Sequence, residues 1–91
     1  MSNKGETFGP RNPLRQPDAI AGFGRSVRKR RIELGLTLRA CAEDRNFSYG
    51  WLSQLERGKR NPTLATLLDI ADALNTPLAS LIEDLPFTPG S

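Results

Sequence analysis

Histidine is absent from this chain, and cysteine, methionine, tryptophan and tyrosine occur once each. Without histidine there is no Ser–His–Asp triad, no Cys–His nucleophile and no ordinary His/Cys zinc site. Cys41 has no second cysteine to pair with inside the chain, which fits a reducing, cytoplasmic setting. No apolar run approaches the ~18 residues of a transmembrane helix. The opening stretch, MSNKGETFGPRNPLRQ, lacks the apolar centre of a secretion signal. A glycine-rich phosphate loop is also missing. An enzyme is therefore not expected, nor a cofactor, a metal or a small-molecule ligand. What remains is 91 residues, 37% hydrophobic and 25% charged, enough for one small binding domain.

The net charge is only +3, but its layout is uneven. Arg25, Arg28, Lys29, Arg30 and Arg31 fall within seven residues, and Arg57, Lys59 and Arg60 form a second cluster. Asp69, Asp72, Glu83 and Asp84 load the C-terminal third with negative charge. A basic front and an acidic back suggest a polyanion on one side, although basic runs also occur as plain solvated helix faces.

Residues 1–17 carry Gly5, Gly9, Pro10, Pro13 and Pro17 and no hydrophobic period, so a flexible basic arm is expected there. Asp18 is a candidate N-cap for a first helix with Ile20, Phe23, Val27 and Leu34 along one face, closed by Gly35. The slot four after Val27 on that face holds Arg31, a cation that needs a buried partner. Thr37 caps a short second helix from Leu38 to about Asp44, which buries Cys41, Ala42 or both. Asn46 suits a left-handed turn. Ser48 caps a third helix, residues 49–57, with Leu52 and Leu55 inward and Gly58 at its end. Asn61–Pro62 stops any helix. Thr63 caps a fourth, with Leu64, Leu67, Leu68, Ala71 and Leu74 as its stripe. Pro77 opens a fifth, with Leu78, Leu81, Ile82 and Leu85 on one side. The expected architecture is all-α: five short helices over 18–85, with 86–91 as a short tail.

Residues 37–58 carry the most information. A helix-turn-helix needs a small residue at the fifth slot counted from Leu38, where its helices touch, and Ala42 is there. It needs a residue tolerant of positive φ at the ninth, filled by Asn46. Apolar residues pin the second helix at the tenth, fifteenth and eighteenth slots, and Phe47, Leu52 and Leu55 occupy them. Five slots in register point to a helix-turn-helix at about 38–57.

With those slots in place, residues 22–85 resemble the lambda/434 repressor-like (XRE, Cro/C1-type) DNA-binding family. The resemblance rests on RKRRIELGLT at 28–37, NFS at 46–48, WLSQLERGKRNPTL at 51–64 and LLDIADAL at 67–74. It implies a compact five-helix domain whose third helix lies in the major groove of double-stranded DNA. Tyr49, Gly50, Ser53 and Gln54 are then expected at base edges, with the Gln54 amide pairing adenine N6 and N7. Thr37, Arg39, Ser48, Trp51, Arg57, Lys59 and Arg60 are expected at the DNA backbone. For Trp51, partial core packing is the competing reading. The resemblance also supplies a partner for Arg31: Glu56, near the end of the third helix, in a buried structural pair.

Two residues depart from the family's pattern. Leu38 stands where a phosphate-contacting glutamine is usual, and Asn46 where glycine is usual. Cys41 takes an ordinarily apolar slot and reads as a core residue, with a redox switch as the alternative. The implied function is a transcriptional regulator that works as a homodimer on near-palindromic sites, paired through Ile82, Leu85 and Phe87. A restriction–modification controller or an antitoxin would use the same fold. A protein-interaction module that has lost DNA binding is the reading from another class, favoured by Leu38 and by the absence of Arg and Lys on the exposed face of the third helix.

Overall fold

A computed structural model describes residues 15–83 and residue 85, so the arm before Arg15, Asp84 and the tail with Phe87 lie outside the described residues. Five helices follow in order: α1 Arg15–Glu33, α2 Leu38–Asp44, α3 Tyr49–Glu56, α4 Leu64–Ala73 and α5 Leu78–Ile82. There is no strand among the described residues.

Three helix starts are set by hydroxyl caps. Thr37 Oγ1 accepts from the Ala40 N–H at 3.0 Å, Ser48 Oγ from Trp51 at 3.2 Å and Thr63 Oγ1 from Thr66 at 3.3 Å. Each satisfies one of the amides that a helix start leaves without an intrahelical acceptor. The first helix starts differently from expectation. It begins at Arg15, and Asp18 lies inside its first turn instead of capping it. Pro17 is the reason: the first-turn N–H groups have no intrahelical acceptor, so proline sits there without loss.

Four helix ends share one device. Gly35, Asn46, Gly58 and Asn75 adopt positive φ of 72°, 58°, 76° and 50°. In each case the N–H of that residue and of the next bond back into the last turn. After α3, Gly58 donates to the Leu55 carbonyl at 3.0 Å and Lys59 to Gln54 at 2.9 Å. After α2, Phe47 donates to Ala42 at 2.8 Å and Asn46 to Glu43 at 3.3 Å. These are Schellman closures, and each reverses the chain sharply enough to start the next helix close by. Asparagine tolerates the left-handed backbone, so Asn46 makes the turn that the family it resembles usually builds with glycine.

The core gathers Phe23 and Val27 of α1, Cys41 and Ala42 of α2, Leu52 and Leu55 of α3, Ile70, Ala71 and Leu74 of and after α4, and Leu81 of α5. Both Cys41 and Ala42 are thus inside. Three leucines were misplaced by periodicity. Leu64 is 67% exposed and Leu68 52%, while Ile70, outside the expected stripe, is buried. The run LATLLDIADA carries apolar residues at too many helical angles for spacing to choose a face; contact with α5 and the core selects Leu67, Ile70, Ala71 and Leu74. Leu34 is exposed because α1 ends at Glu33 and the chain turns at Gly35. Ile82 is 40% exposed, whereas Leu78 and Leu85 pack against the core.

Gly24 explains how closely α1 approaches α3. A Cβ at this position would stand 2.4 Å from the Leu55 carbonyl oxygen and 2.8 Å from that of Glu56. Those are backbone atoms, so only glycine permits this crossing.

Candidate nucleic-acid interface

The two faces of α3 divide cleanly. Leu52, Leu55 and Glu56 are buried, while Tyr49 and Gly50 are exposed and Ser53 and Gln54 are half-buried on the opposite side. Helical spacing puts Tyr49, Gly50, Ser53, Gln54 and the following Arg57 on one arc. The four expected base-reading residues therefore share one face, and the cation Arg57 stands beside them.

Neighbouring groups hold several of these side chains. The Arg39 guanidinium lies over the Tyr49 ring, 5.3 Å from its centre, in cation–π geometry. This contact ties the start of α2 to the start of α3. Trp51 is half-buried and its ring stacks on Phe47 at 5.5 Å and 27°, so much of its surface packs against the core. Gly50 is different. A Cβ there would meet nothing closer than Ser48 Oγ at 3.8 Å, so the fold itself does not require glycine at this place.

The loop after α3 comes back over the helix end. The Arg60 Nε donates to Gln54 Oε1 at 2.7 Å, joining a residue expected at the bases to one expected at a phosphate. Arg57 and Lys59 are exposed beside them.

The basic run of α1 separates into distinct roles. Arg31 Nε and Nη2 donate to the two Glu56 carboxylate oxygens at 2.6 and 3.0 Å, and Nη1 donates to the Leu36 carbonyl at 2.7 Å. Both residues are buried. This two-point bond fastens α1 to the end of α3. Arg30 donates to the Leu74 carbonyl at 3.1 Å and that of Asn75 at 3.2 Å, closing the end of α4. Arg28 lines the same depression as Ser53, Arg57 and Leu38, which makes it an exposed α1 cation placed next to the candidate interface. Helical angle alone could not select it from its neighbours. Leu38 packs against the core beside the Arg31–Glu56 pair, so the usual glutamine is replaced by an apolar contact.

Cys41 is buried, and burial pushes its thiol pKa up. A raised pKa leaves less thiolate at neutral pH, and the thiolate is the reactive form. Native protein treated with a thiol reagent at neutral pH is expected to react only as fast as it opens, with full reactivity in urea. Rapid labelling of the folded state would instead indicate an accessible, switch-like thiol.

A family model described as a helix-turn-helix domain matches residues 23–85. The chain belongs to the helix-turn-helix domain family. Its family is one of DNA-binding transcriptional regulators, and the lambda/434 repressor-like resemblance carried by residues 22–85 points to the same place. Over 66 residues the chain is 39% identical to the uncharacterized HTH-type transcriptional regulator y4dJ of Sinorhizobium fredii, covering 72% of this chain and 86% of that one. It is 36% identical to the transcriptional regulator ClgR of Mycobacterium tuberculosis over 67% of this chain, but spans only 54% of ClgR. Among solved structures, the restriction-modification controller protein C.AhdI of Aeromonas hydrophila superposes with a TM-score of 0.66 at 29% identity, over 68% of this chain and 94% of the controller. No helix among the described residues is long and apolar enough to cross a membrane.

Proposed function

We propose that this chain is a sequence-specific, double-stranded-DNA-binding transcriptional regulator that works in the cytoplasm as a homodimer on near-palindromic sites. The observation that carries the reading is the face of α3. Tyr49, Gly50, Ser53 and Gln54 lie together on the side turned from the core, and Arg57 and Lys59 follow at its end. A helix presented in this way enters the major groove with its first residues nearest the bases. Arg57, Lys59 and Arg39 supply cations for phosphates, and the hydroxyls of Thr37 and Ser48 and the Trp51 indole stand at the groove edges. The exposed Ile82 supports pairing with a second copy through α5, with half-sites about 10 bp apart.

Selection of bound sequences from random duplex DNA tests this reading. A twofold-symmetric motif is the expected result. No enrichment by folded, dimeric protein would overturn it. The likeness to C.AhdI favours, as the more specific role, a controller of restriction–modification genes.

Gly50 gives a second test. Glycine in a helix costs up to about 1 kcal/mol against alanine, and no protein atom crowds the missing Cβ. Gly50→Ala is therefore expected to raise the unfolding midpoint slightly while weakening binding to the selected site. Equal or tighter binding would remove Gly50 from the interface.

A further inference from the structure

We propose that Arg60 and Gln54 read DNA as one donor-only unit, which selects guanine and not adenine at the base pair they face. The inference rests on the DNA-binding reading above and specifies its chemistry at one position.

A free glutamine side chain recognises adenine with both ends of its amide: Oε1 accepts from N6 and Nε2 donates to N7. In this structure Oε1 is already engaged, accepting from Arg60 Nε at 2.7 Å. The assignment of oxygen and nitrogen within the amide follows from chemistry. A guanidinium has five N–H donors and no acceptor, so only the amide oxygen can face it. The Gln54 Nε2 donors are thereby turned away from Arg60.

The backbone places Arg60 here. Gly58 at φ 76° and the Lys59 N–H bonded to the Gln54 carbonyl fold the chain back over the last turn of α3. Arg60, six residues beyond Gln54, comes back level with it. The pair then offers the amide N–H group of Gln54 and the unused terminal N–H groups of Arg60. Every one of these is a donor. In the major groove guanine presents two adjacent acceptors, N7 and O6, whereas adenine presents one acceptor beside a donor. A unit that offers only donors matches guanine and opposes the adenine N6 amino group. Arg60 is thus a specificity-determining residue, not only a phosphate contact.

The test uses the full chain on the site selected from random DNA, with duplexes carrying either G·C or A·T at the position whose preference depends on residue 54. Wild type is expected to favour the guanine duplex by roughly tenfold. Arg60→Ala releases Oε1, so the preference should collapse or move toward adenine. Gln54→Ala should lose the preference as well, and the double variant should lose no more than either single one. Arg60 is exposed, so its removal is expected to leave the melting temperature unchanged. A wild-type preference for adenine would overturn the inference while leaving the DNA-binding reading intact. So would an Arg60→Ala variant that weakens both duplexes equally, the mark of a phosphate contact alone. Failure of the folded chain to select any motif would sink both.

Discussion

Arg31→Met is expected to lower the free energy of unfolding by about 3–5 kcal/mol, because it strands the buried Glu56 carboxylate. Arg31 is the only cation to reach Glu56 among the described residues, and its guanidinium satisfies both carboxylate oxygens and the Leu36 carbonyl together. Removing it leaves the buried Glu56 carboxylate without its two charge-assisted bonds. A domain of this size has on the order of 3–10 kcal/mol in all, at ~0.05–0.15 kcal/mol per residue, so the variant is expected to be largely unfolded at 37 °C. Arg28→Met, a change on the exposed face of the same helix, is expected to shift stability by under about 0.5 kcal/mol. Urea melts of the two variants decide the matter: coincident midpoints would show that the pair contributes nothing particular. A double variant, Arg31→Met with Glu56→Leu, removes both charges. It is expected to recover much of the loss, since replacing a buried pair by apolar side chains is often near neutral.

The second large effect is in DNA binding. Between 50 and 200 mM salt, affinity for the selected site is expected to fall by about a thousandfold. Arg39, Arg57 and Lys59 in each of two protomers would neutralise about six phosphates, and each contact steepens the plot of log affinity against log salt by about 0.9. Thr37, Ser48 and Trp51 would add register without adding slope, because they bear no charge. Titration of labelled duplex at several salt concentrations measures the slope directly. A nearly flat line would remove the phosphate contacts. It would return weight to a protein-interaction role, the reading that the apolar Leu38 and the uncharged arc of α3 otherwise encourage.

Much of the fold was legible residue by residue. Thr37, Ser48 and Thr63 announce helix starts, because a hydroxyl before an apolar-periodic run has a free amide to accept from. Gly35, Asn46 and Gly58 announce ends, because few other residues tolerate the backbone that a Schellman closure needs. The errors have physical causes too. Pro17 reads as a breaker in sequence, yet it is harmless in a first turn, so α1 begins earlier than expected. In α4 leucine is too plentiful for a period to choose a face, and Ile70 displaced Leu64 and Leu68. Gly24 left no periodic trace, since its role is the absence of an atom where two backbones cross. Arg31 stood out as a cation on an apolar stripe, but its partner came from the family resemblance and not from spacing. The Arg60–Gln54 bond was invisible, because it depends on a loop geometry that only the folded backbone supplies.

The four left-handed helix ends also bear on how quickly the chain finds its fold. Each reversal is completed by bonds that span no more than six residues, so neighbouring helices meet soon after they form. Folds built this way have low contact order and little loop-closure entropy to overcome, and such all-helical domains fold in microseconds to milliseconds. The Arg31–Glu56 bond and the Gly24 crossing join segments 25 or more residues apart. These long-range contacts of α1 with α3 are where a rate-limiting step would lie, and the tilt of α3 is settled in that same event.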